Sequence, residues 1–200
     1  MKRVVKILFA TAVAGICLWT AGSMYVMRNV DSPAYEVLAK TVDYEIRRYP
    51  ALLVAETEAD TDDDAEPLFR VLANFIFGGN EQAESIAMTA PVFMSATAGT
   101  PEAMMQFIMP AQYTAETLPE PLSDRVVIRT LPARTVAVRQ FGWFASQQVR
   151  RTQLADLLEG LRRDGITTSG DPVYAGYQPP FSIPFMKRHE IMVSIEMPAS

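Results

Sequence analysis

One histidine, His189, one cysteine, Cys17, and a set of methionines make up the soft-ligand inventory of this 200-residue chain. A lone imidazole cannot build a multi-histidine metal site; what it leaves open is a single axial bond to an iron porphyrin. The competing reading of His189 is structural, because it stands in Arg188-His189-Glu190 at the start of a β-rich run. Met88, Met94, Met104, Met105, Met109, Met186 and Met192 carry thioethers that can also reach iron. Several of them alternate along expected strands and suit core packing or a compliant apolar wall. Cys17 falls inside an N-terminal apolar run, which leaves the remainder of the chain without a thiol for a disulfide, a zinc cluster or a nucleophile. Lys187 and Arg188 belong to YQPPFSIPFMKRHE, residues 177–190. Such a loop can act as a lid that sets cations and Phe181 beside an apolar guest, or as a rigid connector whose Phe181 and Phe185 plug the core. Phe69, Leu72 and Phe75, with Met88 further along, have the same double reading as pocket wall or core. Arg150, Arg151, Arg162 and Arg163 can attract carboxylates or form a solvated helix face.

These side chains need elements to hold them. The chain is 49% hydrophobic and 20% charged with net charge −5, enough apolar residue for a full core and no basic footprint for a phosphate backbone, so nucleic acid is not an expected partner. Residues 46–56 read IRRYPALLVAE and residues 128–138 read IRTLPARTVAV, sharing I-R-x-x-P-A-x-x-V-A at an offset of 82 residues. That repetition predicts two similar halves, about 44–111 and 126–199. Pro50 and Pro132 lack the amide hydrogen of a central ladder and should mark bends between strands.

Leu68, Phe69, Leu72, Phe75 and Ile76 recur at helical spacing and predict a helix from about Asp63 to Phe77, with aspartates at its positive end and Gly78-Gly79 stopping it. Leu154, Leu157, Leu158 and Leu161 predict a second helix from about Ser146 to Asp164, closed by Gly165. Alternation in YEIRRY, LLVAETE, MQFIMP, VVIRTL, RTVAVRQF and EIMVSIE predicts strands of an antiparallel sheet. Helices lying across such a sheet leave grooves of the kind that take small ligands.

Lys2, Arg3 and Lys6 precede an apolar stretch from Ile7 to Met27 broken only by Thr11, Thr20 and Ser23. Residues 1–30 therefore read as a signal peptide or a membrane anchor, with the domain from residue 31 on the exported side, because flanking cations resist translocation.

YEIRRYP, GGN followed by IAMTAPV, MQFIMP, RTVAVRQFGW and YQPPFSIPFMKRHEI occur in this order, within a span of roughly Tyr44 to Ile195. In order and spacing they resemble the SOUL haem-binding family. The resemblance implies an α+β fold with pseudo-twofold symmetry, a distorted antiparallel β-barrel flanked by two long helices. It also implies non-enzymatic, non-covalent binding of haem or another porphyrin in an apolar groove, with Phe69, Leu72, Phe75, Met88, Phe181, Lys187, Arg188 and His189 as the candidate contacts. His189 replaces the asparagine usual in the family's R-N-E, so its assignment to iron does not come from the family pattern. The fold is also similar to that of gyrase-inhibitory-protein-like domains, some of which hydrolyse small molecules with a glutamate and a tyrosine. Here that alternative falls on Glu190 with Tyr174 or Tyr177. A third reading is a scaffold module that has lost its ligand.

Overall fold

Residues 30–58, 65–95, 104–178, 182, 185 and 187–196 are described by the structure, a computed structural model. The strands are β1 Glu36–Lys40, β2 Glu45–Tyr49, β3 Leu52–Glu58, β4 Val92–Ser95, β5 Met104–Ile108, β6 Val127–Leu131, β7 Arg134–Gly142, β8 Thr168–Gly176 and β9 Arg188–Ile195. They form one sheet in the order β1-β2-β7-β9-β8-β4-β5-β3-β6, with each of its pairings antiparallel. The sheet curls into a half-barrel carrying two helices, α1 Ala65–Ile76 and α2 Gln147–Arg163.

Six of the nine strands follow the alternation in the sequence closely. The three that do not announce themselves are β1, an exposed edge; β4, four residues long; and β8, whose register slips between Ser169 and Val173 around Gly170 and Pro172. A short, exposed or bulged strand has no clean two-residue period to display.

Pro50 and Pro132 fall between strands, as their missing amide hydrogens require: β2 ends at Tyr49 and β3 opens at Leu52, while β6 ends at Leu131 and β7 opens at Arg134. Neither corner is a hairpin. β2 pairs with β1 and β7, and β3 pairs with β5 and β6, so each proline corner carries the chain across the sheet. Outward from the β8–β4 junction the order is β9, β7, β2 in one direction and β5, β3, β6 in the other. Register agrees with the 82-residue offset: Arg47 faces Val136 and Tyr49 faces Arg134, while Arg129 faces Val54 and Leu131 faces Leu52.

The helices cover the two half-sheets. Leu68, Leu72, Phe75 and Ile76 of α1 pack on Ala55, Met105 and Phe107 of β3 and β5. Leu157 and Leu161 of α2, with half-buried Leu154, pack on Ala137, Ile191 and Val193 of β7 and β9. Burial of each such leucine contributes about 1.5–3 kcal/mol. Phe69 and Leu158 belong to the expected stripes but lie at their margins, 36% and 39% exposed, since each is one residue, about 100°, round from a core position. Ser146 caps α2 by accepting from the Val149 amide, and Gly165, at φ +69°, turns the chain after Asp164. A third apolar cluster fills the inner side of the curl with Tyr49, Val54, Phe93, Ile108, Val136, Val138, Ala175 and Met192.

The apolar leader and the aspartates expected at the start of α1 lie outside the described residues. Among the described residues no helix is long and apolar enough to cross a membrane.

Candidate functional site

β9 carries two chemically distinct residues side by side, and alternation sends them to opposite faces. Glu190 faces inward with Met192 and is fully buried. Its Oε1 accepts from Arg47 Nη1 (3.1 Å) and Nη2 (3.2 Å) and from Arg188 Nε (3.1 Å) and Nη2 (2.6 Å). Its Oε2 accepts from Arg47 Nη1 at 3.0 Å and from the Tyr177 hydroxyl at 2.8 Å. Arg47, 2% exposed, also reaches Glu45 and lies under the Tyr35 ring, while Arg188 lies over Tyr177. Burial works to lower the Arg47 guanidinium, and the hydrogen bonds and charge of Glu190 more than offset it, so it is held above its usual range. Burial pushes the Tyr177 phenol up and the Glu190 charge adds to the shift. A carboxylate with both oxygens saturated by two arginines and a phenol is a strut. It has no free lone pair with which to activate water.

His189, next along, is 7% exposed and packs against the rings of Phe141 and Tyr174 at 5.5 and 5.6 Å. Its Nδ1 lies 2.5 Å from the Tyr174 hydroxyl and its Nε2 lies 3.1 Å from the Trp143 carbonyl. The neutral ring satisfies both bonds by accepting the phenol proton at Nδ1 and donating from Nε2. Burial lowers the imidazole below its usual value, partly opposed by the bond to the Trp143 carbonyl. An unfolded histidine takes its proton near pH 6.5 and the folded one only at lower pH, so this contribution to stability is whole above about 6.5 and is lost as pH falls. His189→Asn is expected to flatten the decline in melting temperature as pH falls below about 6.5; an unchanged acid limb would show that His189 does not drive it.

Beyond His189 the chain presents aromatic surface. Trp143 leaves β7 at φ +68°, an uncommon backbone for a side chain of this size, and is 64% exposed; Phe144 is 65% exposed and Phe185 64%. Gly142 pairs with Arg188, and a Cβ added there would lie 3.4 Å from the Lys187 carbonyl, so Trp143 and Phe144 leave the end of β7 beside the entry to β9. A different concavity, about 390 Å³, lies by β3 and β6, lined by Glu56, Glu58, Asp124, Arg125 and Arg129 among others. Its charged walls do not suit an apolar macrocycle.

The profile described as SOUL heme-binding protein matches residues 30–194. The chain belongs to the SOUL family. Relatives of this SOUL domain include Heme-binding protein 2 of Homo sapiens, 33% identical over 149 residues covering 70% of this chain and 72% of that protein. Heme-binding protein 2 of Mus musculus is 32% identical over the same coverage. Among solved structures, the EcmrR C-terminal domain superposes with a TM-score of 0.59 at 12% identity, covering 81% of this chain and 98% of that one. A hydrolase from Listeria innocua superposes with a TM-score of 0.51 at 10% identity, covering 76% and 91%. At such identities these structures share the fold with the SOUL domain and nothing finer.

The candidate residues of the SOUL domain fall into separate places. Leu72 and Phe75, 0% and 1% exposed, are spent in the α1 core and offer no surface to a ligand; Met88 packs half-buried against that core. Phe69 stands at its margin in an edge contact with Phe107. Lys187 and Arg188 are half-buried beside His189, and Phe181 lies outside the described residues. The structure joins Tyr177 to Glu190 and Tyr174 to His189, so the tyrosines are not interchangeable. Sequence reasoning passed over Arg47, which lies 143 positions from Glu190, and over Trp143 and Phe144 as contacts, although RQFGW was among the resembling motifs.

Proposed function

We propose that this SOUL domain binds haem or a related tetrapyrrole non-covalently, without transforming it, on the edge formed by Trp143, Phe144, Phe185 and Lys187. The observation that carries the site is Trp143 and Phe144, each about two-thirds exposed, leaving β7 where Gly142 meets Lys187, with the equally exposed Phe185 two residues before that lysine. A flat apolar macrocycle with anionic propionates fits that surface, stacking on the rings with its charge toward the cation. Family membership and the haem-binding names of its relatives support the ligand class. This reading does not draw on Phe69 and Met88, which pack against the α1 core. Both nitrogens of His189 are engaged, so the reading gives affinity to apolar contact and leaves the imidazole in its bonds to Tyr174 and Trp143.

The chain has two tryptophans, Trp19 in the leader and Trp143. In a Trp19→Phe chain, ferric haem is therefore expected to quench most of the remaining emission saturably, with one equivalent sufficing. Binding seen by absorbance without quenching would move the site away from this edge.

The saturation of Glu190 favours binding over the hydrolytic alternative. The repeated sequence and the matching registers of β2–β7 and β6–β3 support an origin in two copies of one unit. For location, the basic and then apolar leader supports a domain held or released on the exported side of a membrane. A C-terminal alkaline phosphatase fusion is expected to be active in a bacterial host; a silent phosphatase with an active β-galactosidase fusion would contradict export.

A further inference from the structure

Arg134, half-buried on the inner side of the curled sheet, has no counter-charge among the described residues. It precedes Val136 and Val138 on β7 by two and four residues, so it shares their inner face. Its guanidinium carbon lies 5.7 Å from the centroid of Phe93, a ring 1% exposed, and its cross-strand neighbour is Tyr49, 3% exposed. Burial disfavours its charged form. Among the described residues Arg134 makes no hydrogen bond and no ion pair. Arg47 and Arg188 share Glu190, and Glu45 is taken by Arg47 and Lys40, so neither carboxylate is left for a further arginine.

Packing does not demand a cation at this position. By register its equivalent across the sheet is Leu52, which faces Leu131 as Arg134 faces Tyr49 and is 8% exposed. A partly desolvated guanidinium without a counter-charge sacrifices hydration that an anion restores, and its planar fork matches a carboxylate in two parallel hydrogen bonds. The rim adds apolar surface in half-buried Leu131 and Val173, both packed against the inner cluster. We propose that Arg134 anchors an anion site at the mouth of the inner face, taking the carboxylate of a small amphiphile whose apolar part lies along this rim. The site is distinct from the aromatic edge, since Arg134 and Gly142 are the two ends of β7.

The test is isothermal titration of the full chain with phenylacetate and with its neutral isostere phenylacetamide. The native chain is expected to bind phenylacetate at least about 10-fold more tightly than the amide, the scale of a charge-assisted hydrogen-bonded pair. Arg134→Leu, which installs the residue found at position 52, is expected to erase the difference, and Arg134→Lys to keep part of it; Arg134→Gln serves if the leucine variant does not fold. Haem titration of the same variants is expected to match the native chain. Equal affinity for acid and amide, no binding of the acid, or discrimination that survives loss of the charge overturns the proposal.

Discussion

Glu190→Ala is expected to cost about 3–5 kcal/mol of folding stability, the penalty of leaving a buried guanidinium unpaired. Arg47 is 2% exposed and gives its Nη1 and Nη2 to this one carboxylate, with only Glu45 at the rim to compensate. The paired variant Arg47→Met/Glu190→Met removes the most deeply buried charge with its partner and is expected to lose less than Glu190→Ala alone, because only Arg188, a third exposed, is left without the carboxylate. Urea unfolding followed by circular dichroism reads both. A loss under about 1 kcal/mol in Glu190→Ala would mean that water reaches the carboxylate, and with it the hydrolytic reading would regain ground.

Trp143→Ala/Phe144→Ala is expected to do the reverse, leaving stability within about 0.5 kcal/mol while weakening haem binding at least 10-fold. The two rings are mostly exposed, so removing them strips little from the core. Against a macrocycle they supply stacking worth about 0.5–1.5 kcal/mol each beyond simple burial. Lys187→Glu in the same setting is expected to weaken haem several-fold and to affect a porphyrin ester far less, since the ester carries no propionate charge. If the double variant unfolds, the rings are structural; if it binds haem as the native chain does, the site lies elsewhere.

Much of the fold is legible in the residues because it rests on local rules. The α2 boundaries follow from Ser146, the leucine spacing and Gly165, and the β3 limits coincide with LLVAETE. The proline corners follow from the missing amide hydrogen. What periodicity cannot convey is which strands meet. Nothing in IRRYP says that Arg47 will find Glu190, because that contact depends on β2 and β9 flanking β7. The site was less legible for a related reason. Leu72 and Phe75 have the chemistry of a ligand wall, yet only the position of α1 on β3 and β5 reveals that their surface is already used. Conversely, Trp143 and Phe144 follow β7 in a short segment without periodicity, where no spacing rule announces their exposure.

The most direct measurement is an absorbance titration of the full chain with ferric haem, run beside metal-free protoporphyrin and the His189→Ala variant against a matched detergent blank. The account predicts a saturable Soret shift at one equivalent, saturable binding of the metal-free macrocycle, and a shifted band that persists in His189→Ala. No saturable binding of either compound would contradict it, and a band lost in His189→Ala while metal-free porphyrin still binds would return the imidazole to iron.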